Sequence, residues 1–396
     1  MALGGLLKVV EATRLVGAIA SVASGAGSLT LPNACFAIFG AGAFATVAFA
    51  AWVASGTGAN ADCAARTLES RHARRYRREC SRVRSARRPE FLLLHRVMTL
   101  DLEARIAGLP CWRGNVKLET LRGGLSNAAF VVDDGGERYV ARCGADIPVH
   151  HVFRDRERAA SVAAHAAGLS PELVYAEPGV MVIRHIDGRT LMETDLRANI
   201  ARIVPLLATC HGRLARHLVG PANTFWVFHV IRDYARTLQT TRGRNNGELS
   251  RYVALADALE AQQMPLPIVF GHHDLLPGNF LDDGKRLWLI DWEYGGFGTA
   301  MFDLANLAAN GSFSLADERL LLETYFGRPA SDAVQRAFDA MKVASALREA
   351  AWAMVSAIHL AVPGADYCAH AADYLARTEA ALACYTERHG RPVALS

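Results

Sequence analysis

Hydrophobic and polar positions alternate in short runs between residues 116 and 183, then settle into helical spacing. Val116 to Leu121 and Ala129 to Val132 read as strands, joined by the tight polar loop Arg122-Gly123-Gly124-Leu125-Ser126-Asn127. Asp133-Asp134-Gly135-Gly136 is a hairpin turn leading into a third strand, Arg138 to Arg142. The pattern predicts a helix from Arg154 to Ala167, closed by Gly168 and Pro171. Leu173 to Tyr175 and Val180 to Ile183 form a further hairpin around Pro178-Gly179, and Asp187-Gly188 turns the chain out of the sheet. From Leu191 onward helical periodicity dominates, broken near Gly220-Pro221, Pro265 to Pro267 and Pro363-Gly364. Two apolar runs, Ile268 to Phe270 and Leu287 to Ile290, interrupt it as strands. The expected fold class is α+β: a small β-rich N-lobe at 98–190 and a larger α-helical C-lobe at 191–396. No internal repeat is visible.

Residues 1–97 have a different character. No charged residue occurs from Leu15 to Ala61, and a candidate transmembrane segment at about 31–55 is nearly all Ala, Phe, Val and Gly. Leu and Ile are sparse there, which makes it a weak span. The tract 66–88 that follows holds ten arginines. By the positive-inside rule, a segment so flanked would anchor the protein with its C-terminal part in the cytoplasm. Two other accounts stand beside it. Met98 would be a natural start for a compact domain, leaving 1–97 as a leader without function, and the arginine tract could bind nucleic acid.

Charge follows the same division. Of the 43 Lys and Arg and 39 Asp and Glu, residues 1–97 hold 13 and 5, which leaves the remainder mildly acidic. The basic surplus therefore says nothing about the partners of the larger domain. The eight cysteines have no C-x-x-C spacing and no regular framework, which argues for a reducing compartment and against structural zinc or a disulfide scaffold.

Candidate chemistry concentrates in Gly271-His272-His273-Asp274-Leu275-Leu276-Pro277-Gly278-Asn279-Phe280, followed by Leu289-Ile290-Asp291-Trp292-Glu293. An acid, an amide five residues on and a second acid at a strand end suit phosphoryl transfer. One group orients a hydroxyl, and the other two hold magnesium against nucleotide phosphates. His272-His273-Asp274 could alternatively ligate a hydrolase metal. Magnesium prefers oxygen ligands, so the Leu-Leu-Pro-Gly-Asn continuation favours the nucleotide arrangement, with His272 as a brace for the loop. The Gly123 to Asn127 loop can bring backbone N–H groups near phosphates. Arg142 at a strand end could pair with phosphate, and Glu157 on the next helix could orient it.

These strings together resemble the choline/ethanolamine kinase family, within the aminoglycoside phosphotransferase superfamily, whose fold is protein-kinase-like and bilobal. The resemblance runs over about residues 118 to 382. It includes Gly123 to Asn127, Arg142, Arg154-x-x-Glu157, Gly168-Leu169-Ser170-Pro171, Phe302 to Asn310 and Ser345 to Trp352. It implies an ATP- and Mg2+-dependent kinase acting on the hydroxyl of choline or a related amino alcohol such as ethanolamine. Asp274 would be the catalytic base, and Asn279 and Asp291 the magnesium ligands. Gly123, Gly124, Ser126, Asn127, Arg142 and Glu157 would bind ATP. Asn310, Phe313, Trp352 and Tyr367 would line the acceptor pocket, with Tyr374 as a further candidate. The family often has a second Trp one turn after the first, where this chain has Val355, so the aromatic cage is expected to be thinner. Phosphorylation of aminoglycosides, amino sugars or thiamine, and a catalytically inactive binding module, are the alternatives. No nucleic-acid partner is expected for the catalytic domain.

Overall fold

A computed structural model of the chain describes residues 76, 101–121, 127–242, 247–360, 362 and 365–392. The candidate membrane segment at 31–55, most of the arginine tract, and Gly123, Gly124 and Ser126 lie outside these residues. Among the described residues no helix is long and apolar enough to cross a membrane.

The alternating stretch builds a five-stranded antiparallel sheet in the order β1-β2-β3-β5-β4. Its strands are β1 (Lys117–Leu121), β2 (Ala128–Asp134), β3 (Glu137–Cys143), β4 (Leu173–Glu177) and β5 (Val180–Arg184). Period two puts Phe130 and Val132 of β2 and Tyr139, Ala141 and Cys143 of β3 on one face, where they pack with Ile106, from a helical stretch at 101–107, and Val182. Arg142, one residue out of phase, takes the opposite face. It pairs in register with Met181 of β5.

Between β3 and β4 runs helix α1 (Arg154–Ala166), whose Ala160, Ala163 and Ala164 are buried in the large core of the helical lobe rather than in the sheet's own core. The helix therefore ties the two lobes together. Tyr76, from the arginine-rich tract, is buried in the same large core.

The helical lobe holds α2 (Glu193–Ala198), α3 (Ile200–Arg213), α4 (Val227–Arg242), α5 (Gly247–Glu260), α6 (Ala300–Asn310), α7 (Leu315–Phe326), α8 (Asp332–His359) and α9 (Tyr367–His389). Two three-stranded sheets are set among them. One orders β10 (Leu287–Leu289), β9 (Phe280–Asp282) and β6 (Arg189–Thr190). The other orders β7 (Asn223–Thr224), β11 (Gly296–Thr299) and β8 (Ile268–Gly271). The strands and α1 fall where the pattern predicted them, to within a residue or two. The short β6, β7, β9 and β11 were not foreseen. Cys111, Cys143 and Cys210 are free, whereas Cys384 is disulfide-bonded, which the irregular cysteine spacing did not foretell.

Candidate active site

The loop after β8 is held by an acid behind it. Asp303, on the first turn of α6 and fully buried, accepts the backbone N–H of His272 and of His273, both at 2.8 Å, and pairs with His211 Nε2 at 2.9 Å. Burial acts to raise the Asp303 carboxyl. The His211 hydrogen bond and the neighbouring imidazoles outweigh it and hold the group well below the usual carboxylate range. Gly271 permits this approach, because a Cβ there would lie 2.5 Å from His273 Nε2 and 3.0 Å from Asp303 Oδ2. One turn along α6, Asn306 accepts the Leu275 N–H at 2.7 Å and donates to Ser345 Oγ at 3.0 Å.

His272 braces the loop as the sequence suggested. Its Nε2 lies 2.9 Å from the Ile290 carbonyl and donates to it, leaving Nδ1 to accept the Asp274 N–H at 3.2 Å. Both nitrogens are engaged by backbone, and burial lowers the imidazole pKa, so the ring is neutral. His273 has a backbone φ of 63° and stacks on Phe225 with ring centroids 4.4 Å apart, its Nδ1 bonded to the Tyr294 carbonyl at 3.1 Å. His272 has no nitrogen left for a metal, whereas His273 Nε2 is buried without a hydrogen-bond partner. Among the described residues no cluster of three or more His, Cys, Asp and Glu could hold a metal ion.

Asp274, Asn279 and Asp291 are brought together. Asn279 Nδ2 donates to the Asp274 carbonyl at 2.8 Å and lies 3.3 Å from Asp274 Oδ2. That fixes the amide with Oδ1 as its remaining acceptor. Asp291 sits in left-handed backbone, φ 70°, an unusual conformation for a residue with a side chain and one that gathers at functional sites. An amide oxygen and a carboxylate, with no imidazole or thiolate, form a donor set that suits magnesium shared with phosphates. Burial pushes the Asp274 carboxyl well above its ordinary value. Arg348 opposes this, while Glu349, Asp291 and Glu293 reinforce it.

On the sheet side, Arg142 forks between two acids, with Nη1 2.8 Å from Glu157 and Nη2 2.8 Å from Asp291. Arg154 bridges Glu157 at 2.5 Å and Glu293 at 3.2 Å. Glu157 is buried, so these ion pairs compensate a charge that would otherwise be costly. Burial, followed by the charges of Asp291 and Glu157, raises Glu293 to about 7 against the pull of the two arginines. Asn127 lines a cavity of about 180 Å³ together with Arg142, Gly144, Arg154 and Glu157. The predicted nucleotide residues Asn127, Arg142 and Glu157 thus meet at one place, whereas Gly123, Gly124 and Ser126 lie outside the described residues. Arg154 and Glu293 complete the network and had not been assigned a role from sequence.

A further cluster of charged and aromatic side chains is built on α8. Arg348, 2% exposed, reaches Glu349 Oε2 at 2.8 Å and lies 3.8 Å from Asp274 Oδ1, its guanidinium 4.4 Å from the centre of the Tyr294 ring. Its Nε and Nη2 have no hydrogen-bond partner. Glu349 Oε1 is 2.9 Å from His370 Nε2. Burial raises the Glu349 carboxyl, but His370 and Arg348 outweigh it and hold it below its ordinary value.

Trp352 donates Nε1–H to the Tyr294 hydroxyl at 2.9 Å and meets Tyr367 edge-on at 5.8 Å, His370 at 5.9 Å and His150 at 5.3 Å. His370 lies 4.8 Å from Tyr374. Trp352, Tyr367 and Tyr374 are thus gathered as predicted, with His370 among them unforeseen. Asn310 is nearby through Tyr374, whose hydroxyl is 3.4 Å away, but its Nδ2 holds the Leu275 carbonyl at 3.1 Å, a contact that braces the loop after β8. Phe313 packs over Gly311, and Val355 is fully buried.

A family model described as choline/ethanolamine kinase matches residues 118–319. Protein LicA of Haemophilus influenzae is 26% identical over 207 residues, covering 51% of this chain and 61% of that protein, so this chain spans less than two thirds of its relative's length. Among solved structures, a choline/ethanolamine kinase family protein from Mesorhizobium loti superposes with a TM-score of 0.59 at 29% identity, covering 76% of this chain and 100% of that one. Choline kinase LicA from Streptococcus pneumoniae gives 0.58 at 21% identity over 72% of this chain and 99% of that one, a likeness of fold. The family match runs from β1 into the first turn of α7, including the Asp274, Asn279 and Asp291 constellation and the Asp303 brace, and on that ground the chain belongs to the choline/ethanolamine kinase family.

Proposed function

We propose that the chain is an ATP-dependent kinase that transfers the γ-phosphate to the hydroxyl of choline or a related amino alcohol such as ethanolamine. One observation carries the proposal: Asp274 lies between an oxygen-donor pair suited to magnesium and, through Arg348 and Glu349, a group of aromatic faces suited to an alkylammonium. Cations are attracted to such faces without demanding hydrogen bonds.

In this reading the acceptor hydroxyl would donate to Asp274, which would orient it and take its proton as the new O–P bond forms and the bond from the γ-phosphorus to the β–γ bridging oxygen breaks, releasing ADP. Asn279 and Asp291 would hold Mg2+, which when bound would neutralise charge on the phosphates. Arg142, whose planar fork matches phosphate oxygens, contributes positive charge from the sheet side while Glu157 keeps it aimed. The aromatic group fixes the ammonium end so that the hydroxyl reaches Asp274. Most of the rate enhancement is then positioning and charge neutralisation.

An ADP-release screen against choline, ethanolamine, thiamine, amino sugars and aminoglycosides tests this. Turnover with choline or ethanolamine is the expected result. Turnover confined to a sugar or an aminoglycoside would overturn the amino-alcohol assignment and leave the kinase standing. Mg-ATP binding with no turnover on any alcohol would mean an inactive binding module.

A further inference from the structure

We propose that His370 determines which kind of ammonium the acceptor pocket takes, by occupying the carboxylate oxygen of Glu349 that a primary amine would otherwise bond. The inference rests on the amino-alcohol kinase reading above and deepens it.

Three observations carry it. First, a carboxylate can only accept, so the proton in the 2.9 Å contact belongs to His370 Nε2, which donates to Glu349 Oε1. Second, Arg348 Nη1 donates to the other oxygen, Oε2, at 2.8 Å, so each oxygen of Glu349 already has a donor. Third, the surfaces His370 joins are rings. Its imidazole meets Trp352 edge-on at 5.9 Å and tilts against Tyr374 at 4.8 Å, and Trp352 in turn meets Tyr367. The His370 side chain is 30% exposed whereas Arg348 is 2% exposed, so the imidazole lies nearer the surface and the guanidinium deeper.

The consequence is a difference between two acceptors of the same length. A primary ammonium carries three N–H groups that must find acceptors when they leave water, and unmet donors in a closed site are costly. A quaternary ammonium has no N–H. It needs only aromatic faces and a nearby negative charge, and Glu349 supplies that charge while its oxygens stay bonded to His370 and Arg348. The pocket as built therefore favours the quaternary form. Removing the His370 donor frees Oε1 to accept from a primary ammonium.

The experiment compares kcat/KM for choline and ethanolamine in the wild-type chain, His370→Phe and His370→Gln, with KM for ATP measured alongside. Wild type is expected to prefer choline. His370→Phe keeps an aromatic ring and loses the donor, and should shift the choline-to-ethanolamine ratio toward ethanolamine by about tenfold with KM for ATP unchanged. His370→Gln presents an amide N–H where Nε2 stood and should restore most of the choline preference, which a merely structural role for the imidazole would not do. A wild-type preference for ethanolamine overturns the proposal. So does a ratio that neither substitution moves, or one that Phe and Gln move equally, and in those cases the kinase assignment survives. If neither alcohol is phosphorylated by the wild type, the amino-alcohol reading fails and this inference fails with it.

Discussion

Asp303 is a fully buried acid and Asp274 a partly buried one in the same small region, yet their surroundings push them in opposite directions. Asp303 is surrounded by donors: two backbone N–H groups and the His211 imidazole converge on it. Asp274 has other carboxylates for neighbours, with one arginine 3.8 Å away. The first arrangement fixes an anion as a structural post. The second leaves a carboxylate whose hold on a proton responds to what binds beside it, as a base requires. Asp303→Ala strands those donors without a partner and should cost about 3 kcal/mol of unfolding free energy or more, read from denaturant melts. An undiminished midpoint would show that the loop does not depend on this post. Asp274→Ala should leave the melt nearly unchanged. It should lower kcat by about 10²- to 10⁴-fold while ATP affinity, measured by calorimetry, is retained. Normal turnover in that variant would remove Asp274 from its role as base.

At the scale of elements, α8 does most to join Asp274 to the cluster of aromatic rings. Trp352 follows Arg348 by four residues and Glu349 by three, and Ser356 follows Trp352 by four, so each of these pairs meets along the helix. Trp352 is held from two directions, by the Tyr294 hydroxyl and by the His150 ring. Trp352→Ala should raise KM for the amino alcohol by roughly 30-fold, as losing about 2 kcal/mol of cation–π attraction predicts, with KM for ATP held constant. A rise in both would place the residue in general packing. Part of this element was legible beforehand. Trp352 stood out as an aromatic on a helix next to a recognisable string, and the five sheet strands announced themselves by alternation. Glu349, Arg348 and His370 did not, because charges on a helix ordinarily mark a solvated face. The signal that could have shown them is their setting: the charged pair Arg348-Glu349 interrupts a run of Ala and other apolar residues that is buried on nearly all sides. β11 escaped because Gly296 to Thr299 lacks a β-branched run, and only its partners β7 and β8 make it a strand.

At the scale of the whole molecule, two of the polar contacts that join the sheet side to the helical side among the described residues bear on the candidate site. One is the Arg142, Glu157, Arg154, Asp291 and Glu293 network, which lies at the site itself. The other is His150, carried on the segment between β3 and α1 and buried against the helical lobe. Its Nδ1 lies 3.1 Å from the Tyr234 hydroxyl on α4, and its Nε2 lies 2.9 Å from Ser356 Oγ on α8. Burial, and then the positive charge of Arg348, lower its pKa to about 3. In the unfolded chain the same imidazole titrates near about 6.5. Between those values the unfolded chain binds a proton that the folded chain refuses. The stability His150 contributes is therefore fully present above about pH 6.5 and is lost as pH falls toward 3. By pH 5 the loss should reach about 2 kcal/mol from this residue. Thermal melts of wild type and His150→Asn at pH 7.5, 6 and 5 separate it from the other buried imidazoles, which both proteins share. The variant should start lower and fall less steeply with acid. Parallel slopes would show that protonation of His150 is not what the interface between the two sides resists. Because the same ring packs on Trp352, the variant should also weaken amino-alcohol binding at neutral pH. That would tie the junction between sheet and helices to the pocket it helps to shape.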